Sequence, residues 1–481
     1  MDHSFSFTLN GTEVHVEGES PCTTLLSYLR ASGLTGTKEG CAEGDCGACS
    51  VGIVDNDADG HTRLRVVNSC LMLLPAVAGR HVVTVEGLAH SGAIDTLHPV
   101  QQSLVETGGS QCGYCTPGFV MSLIEAYYRD DGEDQAAIDD QLCGNLCRCT
   151  GYRPIRDAAQ IAVSTRRKNK LKGGTEPLAK LLGQPTRALS PLRYEGPGGR
   201  FERPTTLSDL LDTLAAEPEA RVLAGGTDIG LEITKEFKHP KVLVSTEAVP
   251  ELTELGKTAE AWHVGSAVTL SRLEEALGKD LPSLRSMLSV FGSRQIRNRA
   301  TLGGNLATAS PIGDLAPVLM SLDASVVLAA TSGERALSLE DFITSYRRTA
   351  LRSGEVVLRF VIPRGATAPD RRRLARSYKV SKRREMDISI VSAAFAVDLD
   401  PQETICYARL VYGGVAPTTA RARDAEEALL NRKLDADTLR AVRPIVARAF
   451  TPISDHRGSA AYRLKLIPSL LNRFFHEEGK L

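Results

Sequence analysis

The chain has little that would carry it to a membrane or to nucleic acid. No run approaches the roughly 18 apolar residues of a membrane span, and residues 1–5 lack the basic stretch and apolar core of a secretory leader. A surplus of charge is missing too, with 57 Lys and Arg against 58 Asp and Glu, so no overall basic field exists to attract phosphate backbones or anionic lipid. These absences predict a soluble, cytoplasmic protein with neither nucleic acid nor membrane among its partners. The ten histidines are scattered, with no HExxH, no Cys/His zinc spacing and no hydrolase triad order. Cysteine is almost absent from the later chain: ten of eleven precede residue 150 and only Cys406 follows. An odd count so unevenly spread argues against a secreted disulfide framework and for metal binding.

What is present is an ordinary globular composition, 481 residues with 42% hydrophobic and 24% charged, enough for about three domains. Alternation through Phe5, Phe7 and Leu9, then Asn10-Gly11, then Val14 and Val16 predicts a β-hairpin with a type I′ turn. A short helix over 23–30, a glycine-rich loop over 36–47 and strands at 51–54 and 64–67 complete a small sheet domain over 1–90. From 91 to 165 the period becomes helical, with apolar faces at 119–128 and 155–163 around cysteine-bearing loops. Residues 166–198, with Arg166-Arg167-Lys168, Gly173-Gly174 and the start of Gly196-Pro197-Gly198-Gly199, have the composition of an exposed linker. Strands at 222–224 and 242–244 alternating with helices at 207–214 and 270–277 predict a mixed α/β domain over 199–374. Strands at 389–397 and 407–412 followed by helices at 425–430 and 439–450 predict an α+β domain over 375–481.

Cys41, Cys46 and Cys49 form a C-x4-C-x2-C loop with Cys70 downstream, the plant-type ferredoxin spacing for a [2Fe-2S] cluster. The glycines of Gly40 to Gly47 let the backbone fold tightly and aim N–H groups at sulfur. The alternative, a zinc loop, usually shows two CxxC-like pairs, which this loop lacks. Cys112-Gly113-Tyr114-Cys115 and Cys147-Arg148-Cys149 would gather four more thiolates; CxxC plus CxC alone is equally compatible with zinc.

The stretches GSQCGYCTPGFVMS (109–122) and GNLCRCTGYRPI (144–155) resemble the second-cluster motifs of the xanthine dehydrogenase family, and the resemblance covers roughly residues 5–165 and 200–478. It implies that all eight of these cysteines are iron ligands in two [2Fe-2S] clusters. It also implies that the helical-domain cluster faces the molybdenum cofactor, with Gln111 near the pterin, and that the ferredoxin-like cluster faces a flavin. Cys22, Cys143 and Cys406 fall outside both sets and are expected as buried free thiols; His98 is expected to be structural.

Leu223, Ala224, Gly225, Gly226, Thr227, Asp228 and Ile229 end a predicted strand in a Gly-Gly turn, which lets backbone N–H groups approach a pyrophosphate. It is not the Rossmann G-x-G-x-x-G; the FAD assignment comes from the resemblance. RATLGGNLATASP (299–311) is similar to the family's second FAD loop, which implies diphosphate contacts from Thr301, Leu302, Gly303, Gly304 and Asn305 and an adenosine-side contact from Asp314. The resemblance further implies that Phe291 lies against the isoalloxazine and that Val357 and Lys379 touch flavin, although a solvated basic strand end is an alternative for Lys379.

The implied fold is multidomain α+β: a ferredoxin-like β-grasp domain, a helical-bundle [2Fe-2S] domain, an α/β FAD-binding domain of the vanillyl-alcohol-oxidase-like type and a C-terminal α+β domain. Hydroxylation at molybdenum releases two electrons, iron–sulfur clusters carry them singly, and a flavin re-pairs them for a hydride acceptor. No stretch resembles a molybdopterin domain, so the substrate site is expected on a separate molybdenum-cofactor subunit. The expectation is the small subunit of a bacterial two-subunit enzyme that oxidises hypoxanthine and xanthine and passes electrons to NAD, in a heterotetramer of two pairs. Alternatives are an aldehyde or N-heterocycle hydroxylase, a different acceptor, or a scaffold that has lost its cofactors; a lone cysteine after Cys149 excludes the branch with an extra cluster in its flavin domain.

Overall fold

The computed structural model describes residues 2–56, 62–88, 97–129, 134–170, 177–182, 184, 188–366 and 368–479. They form two compact units. One comprises Met1–Leu210, Glu217–Pro250 and Gly292–Ala300; the other comprises Leu211–Ala216, Glu251–Phe291 and Thr301–Leu481.

The first unit opens with the expected hairpin. Ser4–Leu9 pairs antiparallel with Thr12–Glu17, and Asn10 and Gly11 both take positive φ, 51° and 85°, as a type I′ turn requires. Helix Leu25–Ala31 starts where the Thr24 hydroxyl accepts the Ser27 N–H. The five-stranded sheet is completed by Ser50–Asn56, Thr62–Asn68 and the short strand His81–Val83, which runs parallel to Ser4–Leu9 at the sheet centre. This is the β-grasp arrangement, and its apolar core includes Phe5, Phe7, Leu25, Leu29, Val51 and Val82.

Four helices follow among the described residues: Pro99–Glu106, Thr116–Tyr128, Gln135–Leu142 and Arg153–Lys170. Ile155, Ala158, Ala159 and Ala162 recur at helical spacing and are buried with Phe119, Leu123 and Ile124. His98 is structural: its Nδ1 accepts the Val100 N–H and its Nε2 lies 3.1 Å from the Tyr128 hydroxyl.

The segment expected as a connector is more ordered than its composition suggests. Arg153–Lys170 carries the helix past residue 166, and Pro177–Leu182 is helical. Leu192–Gly196 is a strand paired with Gly199–Arg203, so Gly196-Pro197-Gly198-Gly199 spans a hairpin turn. Turn residues and linker residues share a composition, and the alternating burial of Leu192 and Tyr194 is what distinguishes them. Gly173 and Gly174 lie outside the described residues. The hairpin continues into a four-stranded sheet through parallel pairing with Val242–Ser245 and then Arg221–Leu223.

The second unit holds two antiparallel sheets and a two-stranded ribbon. One sheet runs Leu255–Lys257, Ala261–Gly265, Val356–Pro363, Ser325–Ala330 and Gly333–Ser338. The other comprises Arg372–Val380, Val391–Leu399, Ile405–Gly413 and Ala420–Arg421. Every residue of Val391–Leu399 is buried, because helices cover both faces of that strand. Helix Leu315–Ser321 packs on one side, and Ala460–Glu478 contributes Ile467, Leu471 and Phe474 to the core. No helix among the described residues is long and apolar enough to cross a membrane.

Candidate cluster and flavin sites

The loop that carries the first thiols coils around them. The N–H groups of Glu43, Asp45 and Cys46 point at Cys41 Sγ from 3.4, 3.3 and 3.3 Å, and the Cys41 N–H points at Cys46 Sγ from 3.3 Å. Across the loop, Cys49 Sγ and Cys70 Sγ are 3.3 Å apart, and Asn68 Nδ2 lies 3.9 Å from Cys49 Sγ. The Cys46 side chain, opposed by burial and aided by those N–H groups, drives the Cys41 thiol down to about 5. Cys70 likewise lowers Cys49 and is itself pushed up by Cys49 and by burial. Within each pair one thiol is lowered while its neighbour is raised; iron would be bound by both sulfurs as thiolates, with release of the remaining protons.

The second set shows the same two-by-two arrangement. Cys112 is lowered by the Tyr114 N–H and by the Cys149 side chain, and Cys149 is raised by Cys112. Cys115 is pushed up to about 12, first by burial and then by Cys147. The Cys147 thiol is opposed by burial but lowered by Thr150, whose hydroxyl lies 3.2 Å from its sulfur. Cys115 sits at the start of helix Thr116–Tyr128, and Arg153–Lys170 begins four residues after Cys149. The thiols that meet are thus Cys41 with Cys46, Cys49 with Cys70, Cys112 with Cys149 and Cys115 with Cys147. Among the described residues no group of three or more His, Cys, Asp or Glu side chains is gathered for one metal ion. Thiolates offered in pairs fit a two-iron cluster, with two protein sulfurs for each iron, better than a single tetrahedral zinc, which draws all four to one point.

The two cysteine loops touch. The Cys46 carbonyl accepts the Leu146 N–H at 3.0 Å, and Asn145 Nδ2 donates to the Gly47 carbonyl at 3.1 Å. Gln111 and Cys112 are exposed beside them. Of the thiols outside the two sets, Cys22 is buried as expected, whereas Cys143 and Cys406 are only half-buried. The Cys143 and Cys406 thiols donate to the carbonyls of Asp140 and Asp398, 3.1 and 3.2 Å away.

In the first unit, Leu223 closes strand Arg221–Leu223 and is buried, Ala224, Gly225, Gly226, Thr227 and Ile229 are half-buried, and Asp228 is exposed. A Cβ on Gly225 would stand 1.8 Å from the Arg299 carbonyl oxygen, so only glycine allows these backbones to approach. Arg299 also donates from Nε to the Gly225 carbonyl at 3.3 Å and from Nη1 to Glu247 at 3.0 Å. Leu71, next to Cys70, lies under the same loop: a Cβ on Gly230 would be 2.8 Å from its carbonyl oxygen. Asn68, Leu71, Gly225, Thr227 and Arg299 line one recess, so residues on either side of Cys70 and the Gly-Gly loop face the same space.

In the second unit, the Thr301 hydroxyl accepts the Gly304 N–H at 3.0 Å and starts helix Leu302–Ala307. Gly303 is pressed against Ser266, whereas a Cβ on Gly304 would meet only Thr301 Oγ1, at 3.1 Å. Asn305 Oδ1 is buried without a hydrogen-bond partner among the described residues. The N–H groups of Leu302, Gly303, Gly304 and Asn305 already bond Val268, Ser266 and Thr301, so what Gly304 offers a ligand is close approach to the backbone, and the unpaired Asn305 Oδ1 is an acceptor that calls for a donor group. Asp314 is buried and accepts from Ser389 Oγ at 2.5 Å and Lys379 Nζ at 2.9 Å. Lys379 Nζ also donates to the Val290 carbonyl at 3.1 Å, next to half-buried Phe291. Lys379 is thus a buried, ion-paired residue, which excludes the solvated strand end. Val357 is buried in strand Val356–Pro363.

Four family profiles match the chain in series. They are a 2Fe-2S iron-sulfur cluster binding domain over 7–74, a [2Fe-2S] binding domain over 84–160, the FAD binding domain in molybdopterin dehydrogenase over 196–365 and the CO dehydrogenase flavoprotein C-terminal domain over 376–478. The chain belongs to the molybdenum hydroxylase family. Curated relatives include the xanthine dehydrogenase of Emericella nidulans, 34% identical over 99% of this chain and 39% of its own length, and xanthine dehydrogenase 1 of Arabidopsis thaliana, 34% identical over 94% and 38%. The chain therefore spans about two-fifths of the length of these relatives. Among solved molybdenum hydroxylases, a chain of quinoline 2-oxidoreductase from Pseudomonas putida 86 matches with TM-score 0.54 and 28% identity, covering 58% of this chain and 96% of that one. A chain of CO dehydrogenase from Oligotropha carboxidovorans matches with TM-score 0.53 and 26% identity over 57% and 94%.

Asn68, Leu71, Asn145, Gln295 and Arg299 escaped the sequence reading as site residues. Asn68 and Asn145 could have been found, because each lies two residues before a cysteine. Gln295 carries no such signal, since its partners are 150 or more residues away, and Arg299, although it opens the stretch read as a FAD loop, gave no sign of its bonds to Gly225 and Glu247.

Proposed function

We propose that this chain is the electron-relay subunit of a xanthine-dehydrogenase-type molybdenum hydroxylase. Electrons from a molybdenum-cofactor subunit that oxidises hypoxanthine and xanthine enter at Cys112, Cys115, Cys147 and Cys149. They pass to Cys41, Cys46, Cys49 and Cys70, and leave through FAD to NAD. The clusters supply one-electron steps and the flavin pairs those electrons for hydride transfer. The observation that carries this reading is the four thiol pairs, joined loop to loop by the Cys46–Leu146 hydrogen bond. The protein's own residues aim N–H groups at sulfur, keep water from Cys49 and Cys70 by burial, and hold the Gly-Gly loop against Leu71. In this reading Thr301 to Asn305 hold the diphosphate, Asp314 serves the adenosine side, Lys379 fixes the Val290 carbonyl beside Phe291 on the flavin side, and the working form is a heterotetramer of two pairs in the cytoplasm.

Likeness to quinoline 2-oxidoreductase favours a second reading, the same relay serving an N-heterocycle hydroxylase. The test is metal and flavin analysis of the chain purified with its partner, followed by bleaching of the visible spectrum with xanthine and recovery with NAD. About four irons and one FAD per chain with xanthine bleaching support the first reading; intact cofactors bleached by quinoline alone support the second; no iron overturns both.

A further inference from the structure

The geometry points to Gln295 as a positioning residue that sets both cysteine loops at once, an inference that rests on the relay read above. Gln295 belongs to the short helix Arg294–Arg297, far in sequence from either cysteine set, yet it is 1% exposed. Its Nε2 donates to Ser122 Oγ and to Asn145 Oδ1, each at 2.8 Å. Ser122 Oγ donates to the same Asn145 oxygen at 2.6 Å, and Asn145 Nδ2 passes on to the Gly47 carbonyl at 3.1 Å.

Each member of this chain of bonds stands beside a ligand. Ser122 is on the helix that Cys115 starts, Asn145 is two residues before Cys147, and Gly47 lies between Cys46 and Cys49. The loops meet without slack: a Cβ on Gly47, whose φ is +65°, would fall 2.2 Å from the Gly144 carbonyl oxygen. Packing this tight fixes the distance between the loops but not their slide along each other. The directional bonds from Gln295 through Asn145 fix the slide, and with it the 3.0 Å Cys46–Leu146 hydrogen bond. Removing the Gln295 donor leaves Asn145 Oδ1 with Ser122 alone, so the Asn145 side chain can rotate and release Gly47.

The test is Gln295→Met, which keeps length and volume but has no donor, in the chain purified with its partner subunit. Electron paramagnetic resonance of the fully reduced protein should show changed line shapes for both clusters, including their mutual magnetic splitting, at unchanged iron and FAD content. Stopped-flow reduction should show electrons reaching the flavin severalfold more slowly. Adding Asn145→Ala to Gln295→Met should change the signals by less than the sum of the two single changes, because Gln295 acts on the Gly47 loop through Asn145; full additivity overturns the inference. Superimposable signals and rates, or a change confined to one cluster, overturn the inference. If Gln295→Met does not accumulate, Ser122→Ala removes one of the two acceptors and is read by the same signals, with the same outcomes. Wild-type protein lacking two cluster signals would overturn the relay reading itself; normal wild-type signals that the variants leave untouched overturn only the role of Gln295.

Discussion

The Leu146 N–H donates to the Cys46 carbonyl at 3.0 Å, and each residue is, or adjoins, a thiol of a different set. From Cys46 Sγ to Cys147 Sγ the path is covalent except for that one bond. Replacing Leu146 with proline removes the N–H. Stopped-flow traces should then show the second cluster reduced at the normal rate and the flavin severalfold late.

Loss of one member of a thiol pair should empty only its own site. Cys49→Ser or Cys149→Ser is expected to lower iron from about four to about two per chain, read by iron analysis against FAD content. Because Cys49 is buried and Cys149 exposed, the first should also cost more thermal stability.

Two glycine-to-alanine changes separate folding from ligand binding. Gly225→Ala places its methyl 1.8 Å from the Arg299 carbonyl and should destabilise the first unit by about 1–3 kcal/mol or more, seen as a lowered Tm. Gly304→Ala meets only Thr301 Oγ1 at 3.1 Å, so Tm of the FAD-free protein should hold while FAD retention in gel filtration falls.

Asn68 Nδ2 is 3.9 Å from Cys49 Sγ. An N–H directed at a ligand sulfur favours the more negative, reduced cluster. Asn68→Leu should therefore lower the first cluster's reduction potential by about 40 mV, the one-electron equivalent of about 1 kcal/mol, in a spectroscopic redox titration.

Asp455 is pulled two ways. Burial raises its carboxyl, but the N–H groups of Gly458 and Arg457 and the Arg463 guanidinium bring it down to about 2. Its folded value is below the unfolded value of about 3.9, so its contribution is complete above pH 4 and is lost as pH falls toward 2. Allowing for partial exposure, Asp455→Asn should cost about 1 kcal/mol at pH 7 and almost nothing near pH 2, measured by chemical denaturation at both pH values.

Local chemistry explains which parts were legible in sequence. The hairpin at Asn10-Gly11, the helix read over 23–30 and the glycine loop around Cys41 depend on neighbours within a few residues, so spacing alone exposed them. The strand His81–Val83 was missed because three residues cannot show a period, and Leu192–Gly196 because its turn reads as linker. Lys379 looked like an exposed basic end beside Lys382 and Arg383; its partner Asp314 is 65 positions earlier and only the fold brings it to 2.9 Å. Gln295 was invisible for the same reason.

The segment Gly292–Ala300 belongs to the first unit although the chain on either side of it belongs to the second. Through it Arg294 and Asn298 reach the buried Glu125 carboxylate at 3.1 and 2.9 Å. During synthesis, at about 5–20 residues per second, roughly 15–60 s pass before residue 300 is made. Until then Glu125 lacks its cationic partner and the cysteine loops lack Gln295. The nascent iron–sulfur half is thus held unfinished, with its thiols present but their clamp absent, until the chain has been made through Ala300.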